Sequence, residues 1–219
     1  MLTGVAAVGG GLARFDPAGS ARGLLLLLHG GAESGFDRVN RAYPAWCRMA
    51  LMQRGLAASM RRHNVAIWLL RNRVRGWNEQ PGREPTPVTD ARRAVAEASR
   101  AFAGVQVVLV GHSMGGRVAC AIAAEDAVVG VCALAPWLPP GTSVAAVAGK
   151  DLVVAHGSAD KRTSPQASRE FVERAARTGA ASYVEVTGAG HAMLGQFRTW
   201  NRVVRESSLA MLGLQRTNQ

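Results

Sequence analysis

Short apolar runs alternate with segments of helical periodicity along most of this chain. Residues 24–28, 65–70 and 105–110 are predominantly apolar stretches, which are typical of strands buried on both faces of a sheet. Further strands are expected at 128–134, 152–156 and 182–186, and helices at 41–61, 90–102, 115–124, 165–177 and 199–212. The first dozen residues, with Phe15 and Asp16, could add an antiparallel edge pair. The alternation predicts an α/β fold in which helices flank a mostly parallel sheet.

Length and composition favour a single domain over residues 1–219. A chain of 219 residues with 48% hydrophobic content can bury one sizeable core and does not require a second. No apolar stretch approaches the roughly 20 residues that span a bilayer. The first residues carry no positive charge before their apolar side chains, unlike a secretory signal. We therefore expect a soluble, cytoplasmic protein with no membrane span.

The formal charge of +11 is the one bulk property that points towards a polyanionic partner. Only Lys150 and Lys161 are lysines, and the arginines are scattered along the whole chain without a groove-reading motif. We expect no nucleic-acid partner; a basic rim that attracts anionic substrates is the alternative.

The chain has three cysteines, Cys47, Cys120 and Cys132. Their number is odd, their neighbours are apolar and no Cys-x-x-Cys spacing occurs, so neither a disulfide framework nor a zinc site is indicated. We interpret all three as small buried hydrophobic residues and expect no metal site.

The sequence Gly111-His112-Ser113-Met114-Gly115 directly follows the third apolar run. It matches Gly-x-Ser-x-Gly, the sharp turn between a strand and a helix that presents a nucleophilic serine. A serine hydroxyl is a weak nucleophile by itself, so chemistry at Ser113 requires a base, an acid that orients the base, and an oxyanion hole.

The base should be a histidine at the carboxyl edge of the sheet, because imidazole titrates near neutral pH. His191 fits best, since it follows the last expected strand within a loop of small residues. His63 precedes a strand and should lie at the opposite edge. His29, His112 and His156 fall at strand ends and are interpreted as parts of turns.

The acid that orients His191 is predicted to be Asp160, which follows the expected strand at 152–156. Asp151 begins that strand and should lie at the other edge, while Glu125 and Asp126 follow a helix. The order Ser113, Asp160, His191 is the nucleophile, acid, base order of one hydrolase fold, and it differs from the orders in chymotrypsin and subtilisin.

An oxyanion hole needs two backbone N–H groups directed at the developing negative charge. One is expected from Met114, at the start of the helix after the nucleophile. The other is expected from the turn at 29–32, although its glycines could simply permit a tight turn.

Four motifs occur in the same order along the chain as in the α/β-hydrolase superfamily, which this sequence therefore resembles. They are His29-Gly30-Gly31, the serine turn, the 156–160 segment His-Gly-Ser-Ala-Asp, and Gly190-His191. The resemblance covers about residues 22–212. It implies a sheet of about seven or eight strands, a Ser-His-Asp triad and acyl-enzyme chemistry without a cofactor. It also favours Gly31 as the second oxyanion donor, with Ala32 as the alternate.

Residues 135–150 leave no room for the large helical cap that is often inserted before the strand at 152–156. We expect an open site bordered by the irregular loop at 71–89. Trp77 and Trp137 could line an acyl pocket, and Met193 could contribute to its wall, although each could equally be core packing.

The resulting hypothesis is a serine hydrolase of small to medium carboxylic esters or thioesters, with a small-molecule substrate as its partner. Acyltransferase, perhydrolase or lyase chemistry on the same three residues is the first alternative. A non-catalytic binding protein that has kept the fold is the second.

Overall fold

The computed structural model describes residues 11–215 of the chain. The strands are β1 Gly11–Phe15, β2 Gly23–Leu28, β3 Val65–Arg71, β4 Val107–His112, β5 Val128–Leu134, β6 Asp151–Gly157 and β7 Ala181–Val186. The helices are α1 Pro44–Arg62, α2 Thr86–Ala101, α3 Met114–Ala121, α4 Pro165–Ala175 and α5 Phe197–Met211, with a short 3₁₀ turn at Ala145–Val147.

The strands form one seven-stranded sheet in the order β1-β3-β2-β4-β5-β6-β7. Only β1 is antiparallel to its neighbour, and all other pairs are parallel. This confirms the predicted α/β class with a mostly parallel sheet flanked by helices. Strand β4 occupies the centre, so the residues that follow it lie in the middle of the carboxyl edge, where parallel α/β sheets bind their ligands.

The alternation of side chains along β2 divides the core into two layers. Leu24, Leu26 and Leu28 pack on the face that α2, α3 and α4 cover. Leu25 and Leu27 pack on the opposite face, against α1 and α5. Because both faces are covered, every residue of β2 is buried, and the strand consists of a glycine and five leucines.

The predicted antiparallel edge is present as β1, which pairs with β3 from Gly11↔Arg71 to Phe15↔Ile67. Residues 1–10, which belong to the same prediction, lie outside the described residues. Asp16 follows the strand, and its carboxylate accepts a 2.6 Å hydrogen bond from Nε1 of Trp68.

The second helix begins earlier than the sequence predicts. It starts at Thr86 and not at residue 90, so Thr89 and Asp90 lie inside the helix. Pro87 fits in the first turn because its missing N–H would have no acceptor within the helix there. The carboxylate of Asp90 instead accepts the backbone N–H of Arg73 at 2.9 Å and its Nε–H at 2.6 Å, which ties α2 to the loop after β3.

The cysteine prediction is right for two residues and wrong for one. Cys120 and Cys132 are buried, and burial raises the pKa of each thiol to about 12. Cys47 is only half-buried, and its thiol contacts the carbonyl oxygen of Arg41 at 3.2 Å. All three are free thiols.

Residues 135–150 contain a single 3₁₀ turn between β5 and β6, so a large cap domain is absent from this connection, as predicted. Among the described residues, the segments that follow the parallel strands at the carboxyl edge of the sheet begin as loops or as the serine turn.

Across residues 11–215, no helix is long and apolar enough to cross a membrane.

Candidate active site

Ser113 lies between the end of β4 and the start of α3, at the centre of the carboxyl edge. Its backbone adopts φ 56° and ψ −118°, a conformation that residues other than glycine rarely adopt. The turn is possible because Gly111 and Gly115 approach each other closely: a Cβ on Gly111 would overlap the carbonyl group of Gly115, and one on Gly115 would overlap that of Leu28. The Gly-x-Ser-x-Gly spacing is thus required by the packing of strand against helix.

The structure brings together the three residues that the sequence predicts as a triad. Nε2 of His191 lies 3.1 Å from Oγ of Ser113, and Nδ1 of His191 lies 2.8 Å from Oδ2 of Asp160. A carboxylate can only accept, so Nδ1 of His191 carries the proton and Nε2 is free to accept from the serine hydroxyl. The arrangement has the geometry that a base needs to deprotonate Ser113.

The loops that carry Asp160 and His191 are held against each other by backbone contacts. The N–H of Ala159 donates to the carbonyl of Ala189 at 3.1 Å, and the N–H of Gly188 donates to Oγ of Ser158 at 2.8 Å. Gly157 permits this contact, because a Cβ there would overlap the carbonyl of Ala189.

Asp160 is held in its ionised form by several donors. Oδ1 accepts the backbone N–H groups of Arg162 at 2.7 Å and Thr163 at 3.1 Å, while the hydroxyl of Thr163 lies 2.9 Å from Oδ2. Burial by itself would raise the pKa of Asp160, but the hydrogen bonds from Arg162, His191 and Thr163 outweigh burial and lower the pKa to about 2. The group therefore remains an acceptor at every pH near neutrality.

His112 and His156, interpreted from sequence as turn residues, belong to strands and contact the site; His29, directly after β2, is buried as well. His112 makes a 2.9 Å hydrogen bond to the backbone carbonyl of His191, and its Nδ1 is buried without a partner among the described atoms. Burial, with the nearby His191 and Arg48 adding to it, lowers the pKa of His112 to about 3, so the ring is neutral and Nε2–H donates.

His29 orders the turn that should supply the second oxyanion donor. Its Nε2 accepts the backbone N–H of Asn72 at 3.2 Å, which leaves Nδ1–H to donate to the carbonyl of Gly30 at 2.6 Å. Burial lowers the pKa of His29 to about 4, consistent with a neutral ring. The contact with Asn72 could not be read from the sequence, because it depends on strands β2 and β3 being neighbours.

The turn at 29–32 packs directly on Ser113 and Met114. A Cβ on Gly30 would lie 3.2 Å from Cβ of Ser113, and one on Gly31 would overlap the side chain of Met114 and the carbonyl of Arg75. The N–H of Ala32 already donates to the carbonyl of Arg75 at 2.9 Å, so the alternate donor is engaged. Met114 is the first residue of α3, where N–H groups have no acceptor within the helix.

Three loops and helix α3 enclose a groove beside this turn, with a cavity of about 490 Å³. We call Phe36, Trp77, Arg117 and Trp137 the aromatic groove. The guanidinium of Arg117 lies 3.9 Å from the ring centre of Trp77 and 4.6 Å from that of Trp137, whose rings meet edge to face. The backbone N–H of Trp137 donates to the carbonyl of Ser113 at 3.0 Å, which links the groove to the backbone of Ser113.

Met193 does not line this groove. Its side chain is 2% exposed and packs in the core layer with Met49, Ala189 and Trp200. The structure agrees with core packing for Met193. Trp77 borders the groove but is itself only 5% exposed and packs in the other core layer, whereas Trp137 borders the groove and is half-buried.

A larger cavity, of about 570 Å³, lies at the other edge of the sheet, between β1 and α1. Its lining includes Val65, the first residue of β3, together with Arg54 and Arg61 of α1. Because β3 runs parallel to β4, this cavity lies towards the amino ends of the strands, opposite to Ser113. The aromatic groove lies nearer to Ser113, since Arg117 and Trp137 each donate a backbone N–H to the carbonyl of Ser113.

Comparison with known protein families agrees with this architecture. A model described as "Alpha/beta hydrolase family" matches residues 25–152, more than half of the chain. The chain belongs to the α/β hydrolase family. The matched region contains β2, the serine turn and the central strands of the sheet. No curated protein matches this α/β hydrolase significantly over its sequence.

Solved structures share the fold at low sequence identity. A thermophilic esterase from Thermogutta terrifontis with bound butyrate has a TM-score of 0.71 and 17% identity over 97% of this chain and 92% of that chain. Est1E from Butyrivibrio proteoclasticus with bound ferulic acid has a TM-score of 0.67 and 14% identity over 93% and 96%. An α/β serine hydrolase homologue from Coxiella burnetii has a TM-score of 0.67 and 16% identity over 90% and 92%.

Proposed function

We propose that this α/β hydrolase cleaves carboxylic esters or thioesters through an acyl-enzyme intermediate on Ser113. The observation that carries the proposal is the unbroken series of hydrogen bonds from Ser113 through His191 to Asp160, with distances of 3.1 and 2.8 Å. Such a series is what an acyl transfer mechanism needs to activate a serine at neutral pH. The esterases among the structural relatives are consistent with it.

In acylation, Nε2 of His191 accepts the proton of Ser113 as Oγ attacks the acyl carbon. Asp160 stabilises the resulting imidazolium through Nδ1–H. The N–H groups of Met114 and Gly31 bind the oxyanion; the engagement of the Ala32 N–H with Arg75 supports Gly31 as the second donor. His191 then protonates the departing alkoxide or thiolate, which leaves the acyl group on Ser113.

In deacylation, His191 removes a proton from water, whose oxygen attacks the acyl carbon, and the proton passes to Oγ of Ser113 as the acid leaves. No cofactor takes part in either step. The short connection between β5 and β6 leaves the acyl-enzyme open to solvent, which supports hydrolysis as the outcome.

The aromatic groove is proposed to hold the acyl or leaving group. The half-buried Trp137 offers apolar surface at the groove, the largely buried Trp77 packs edge to face behind it, and the guanidinium of Arg117 stacks against both rings. A volume of about 490 Å³ suits a small ligand. Met193 has no part in this proposal, because its side chain is buried in the core.

The decisive experiment compares the wild type and Ser113→Ala on a panel of p-nitrophenyl esters and acyl thioesters. We expect the variant to lose at least about 10³-fold in kcat/KM while its circular dichroism is unchanged. A fluorophosphonate probe should label the wild type at Ser113 and leave the variant unlabelled.

Two other outcomes would change the conclusion. Formation of a new ester when an alcohol competes with water, at the expense of free acid, would identify an acyltransferase. Folded wild type that neither turns over any substrate nor reacts with the probe would contradict the proposal and favour a binding protein.

A further inference from the structure

A second histidine bonds to the same carboxylate oxygen as His191. His156, in β6, is fully buried, and its Nε2 lies 3.1 Å from Oδ2 of Asp160. Its Nδ1 lies 2.8 Å from Oγ of Ser168 in α4, which is also fully buried. Asp160 therefore stands between two serine–histidine pairs, one facing the open site and the other enclosed in the protein.

The proton positions in the buried pair follow from what each group can do. The ionised Asp160 can only accept, so Nε2 of His156 carries a proton and donates. Burial lowers the pKa of His156, although Asp160 opposes this, so the ring is neutral and Nδ1 must accept. The hydroxyl of Ser168 is then the donor to Nδ1, and this bond fixes both the tautomer and the orientation of the ring.

We propose that His156, held by Ser168, is a positioning residue for the acid: its Nε2–H fixes Oδ2 of Asp160 and keeps His191 unprotonated at lower pH. The catalytic consequence rests on the proposed hydrolase function, whereas the effect on His191 itself does not.

The direction of the effect follows from charge sharing. Oδ2 of Asp160 receives Nδ1–H of His191, Nε2–H of His156 and the hydroxyl of Thr163. Each donor places partial positive charge on the carboxylate and reduces the attraction left for a proton on His191. Removing the His156 donor strengthens that attraction, so His191 should bind its proton at higher pH.

Other charged groups near the two rings act alongside this effect. His112 of β4 bonds to the backbone carbonyl of His191. The positive charge of Arg48 in α1 repels a proton on His112, and the charge of Arg162 repels that of Arg48. Glu185 of β7 lies beside His156 in the sheet register, but it is paired with Arg169 of α4 at the surface. The substitutions proposed below leave all of these groups unchanged.

The test is an NMR titration of the histidine rings in protein labelled at histidine, assigned among the five histidines with His191→Gln. We expect His156→Leu to raise the titration midpoint of His191 by about half a pH unit to one unit. His156→Gln, whose amide can still donate to Asp160, should stay near the wild type. In an active enzyme, the acidic limb of kcat/KM should move with the midpoint.

A matched control separates this effect from a loosened helix. Phe171 is fully buried in α4, one turn from Ser168, and carries no polar group. Phe171→Leu should lower stability and leave the midpoint of His191 unchanged. Ser168→Ala tests the same relay with a smaller change and should raise the midpoint by about 0.2 to 0.5, because the ring loses the bond that polarises it.

An unchanged or lowered midpoint in folded His156→Leu would overturn the proposal, as would an equal rise in Phe171→Leu. If His156→Leu does not fold, an unchanged midpoint in Ser168→Ala overturns it. A wild type without esterase activity contradicts the proposed function alone, since the ring titration is read without substrate.

Discussion

The two sides of Ser113 are built in different ways. We call Asp160, Thr163, His191, His156 and Ser168 the acid–base network; its side chains are linked by hydrogen bonds of 2.8–3.2 Å, and most of them are buried. In the aromatic groove on the other side, Phe36 is 68% exposed, and Glu79, the ion-pair partner of Arg117, has a side chain that is 72% exposed.

In the proposed hydrolase, the buried network would carry out the proton transfers, and the open groove would select the substrate. A network of satisfied buried groups has one arrangement, so its distances are fixed before a substrate arrives. An open groove of aromatic side chains on three loops can change residue by residue without unfolding the sheet. The comparison explains physically how one fold can retain a reaction while its substrates differ.

The largest effect should come from the network. Asp160→Asn should keep the fold but place a donor opposite Nδ1 of His191, which forces the wrong tautomer. We expect kcat/KM for p-nitrophenyl acetate to fall about 10⁴-fold, measured with the near-UV circular dichroism as a check on folding. A loss below tenfold would mean that Asp160 does not orient His191.

Acid should destabilise the whole fold through His29 and His112, two buried histidines that are not members of the acid–base network. Burial holds the pKa of His29 at about 4 and of His112 at about 3, whereas both are about 6.5 in an unfolded chain. Below pH 6.5 the unfolded state therefore binds more protons, so stability that is complete above that pH is lost as pH falls towards 4. Two such groups give a slope of about 2.5 kcal/mol per pH unit near pH 5.

Urea unfolding between pH 7 and pH 4.5 measures this slope. A groove substitution such as Trp137→Ala should lower the free energy of unfolding equally at every pH and leave the slope unchanged, because neither tryptophan nor alanine has a titratable side chain. A slope near zero between pH 6 and pH 5 would contradict the neutral, buried state of both histidines.

Sequence reasoning predicted the cluster of Ser113, Asp160 and His191 for a physical reason. In a parallel sheet, residues that follow strands meet at one edge, so the order of the motifs along the chain was enough to bring Ser113, Asp160 and His191 together. The continuous apolar runs likewise predicted strands covered on both faces, and β2 is buried throughout.

The supporting residues could not be found in this way. His156 was interpreted as part of a turn, and its bonds to Asp160 and Ser168 depend on how α4 packs on β6. Arg117 lies on α3, and only the tertiary fold brings it over two indole rings from separate loops. Short spacings held some signal: Thr163 follows Asp160 by three residues, a distance at which side chain and backbone often bond.

A smaller effect should come from the groove. Trp137→Ala removes one wall of the aromatic groove. It should raise KM for aryl and longer acyl esters about tenfold, or about 1.4 kcal/mol, with little change in kcat. Acetyl esters with small leaving groups should respond less. Equal losses on every ester, all in kcat, would place Trp137 in the support of Ser113, whose carbonyl accepts its N–H.

The smallest effect we expect is at Thr163, where the network contacts Ala135, the residue directly after β5. The hydroxyl lies 2.9 Å from Oδ2 of Asp160, 3.1 Å from Nδ1 of His191 and 3.2 Å from the carbonyl of Ala135. Thr163→Val keeps the shape and the backbone N–H that bonds Oδ1, so it removes only the hydroxyl.

Because four other donors still hold Asp160, we expect Thr163→Val to lower kcat/KM about fivefold, or about 1 kcal/mol, with KM unchanged. Thr163→Ser, which restores the hydroxyl, should recover most of the rate. If Thr163→Val instead costs as much as Asp160→Asn, the network is a single cooperative unit in which no donor is redundant. The rigidity that distinguishes it from the groove would then depend on every hydrogen bond at once.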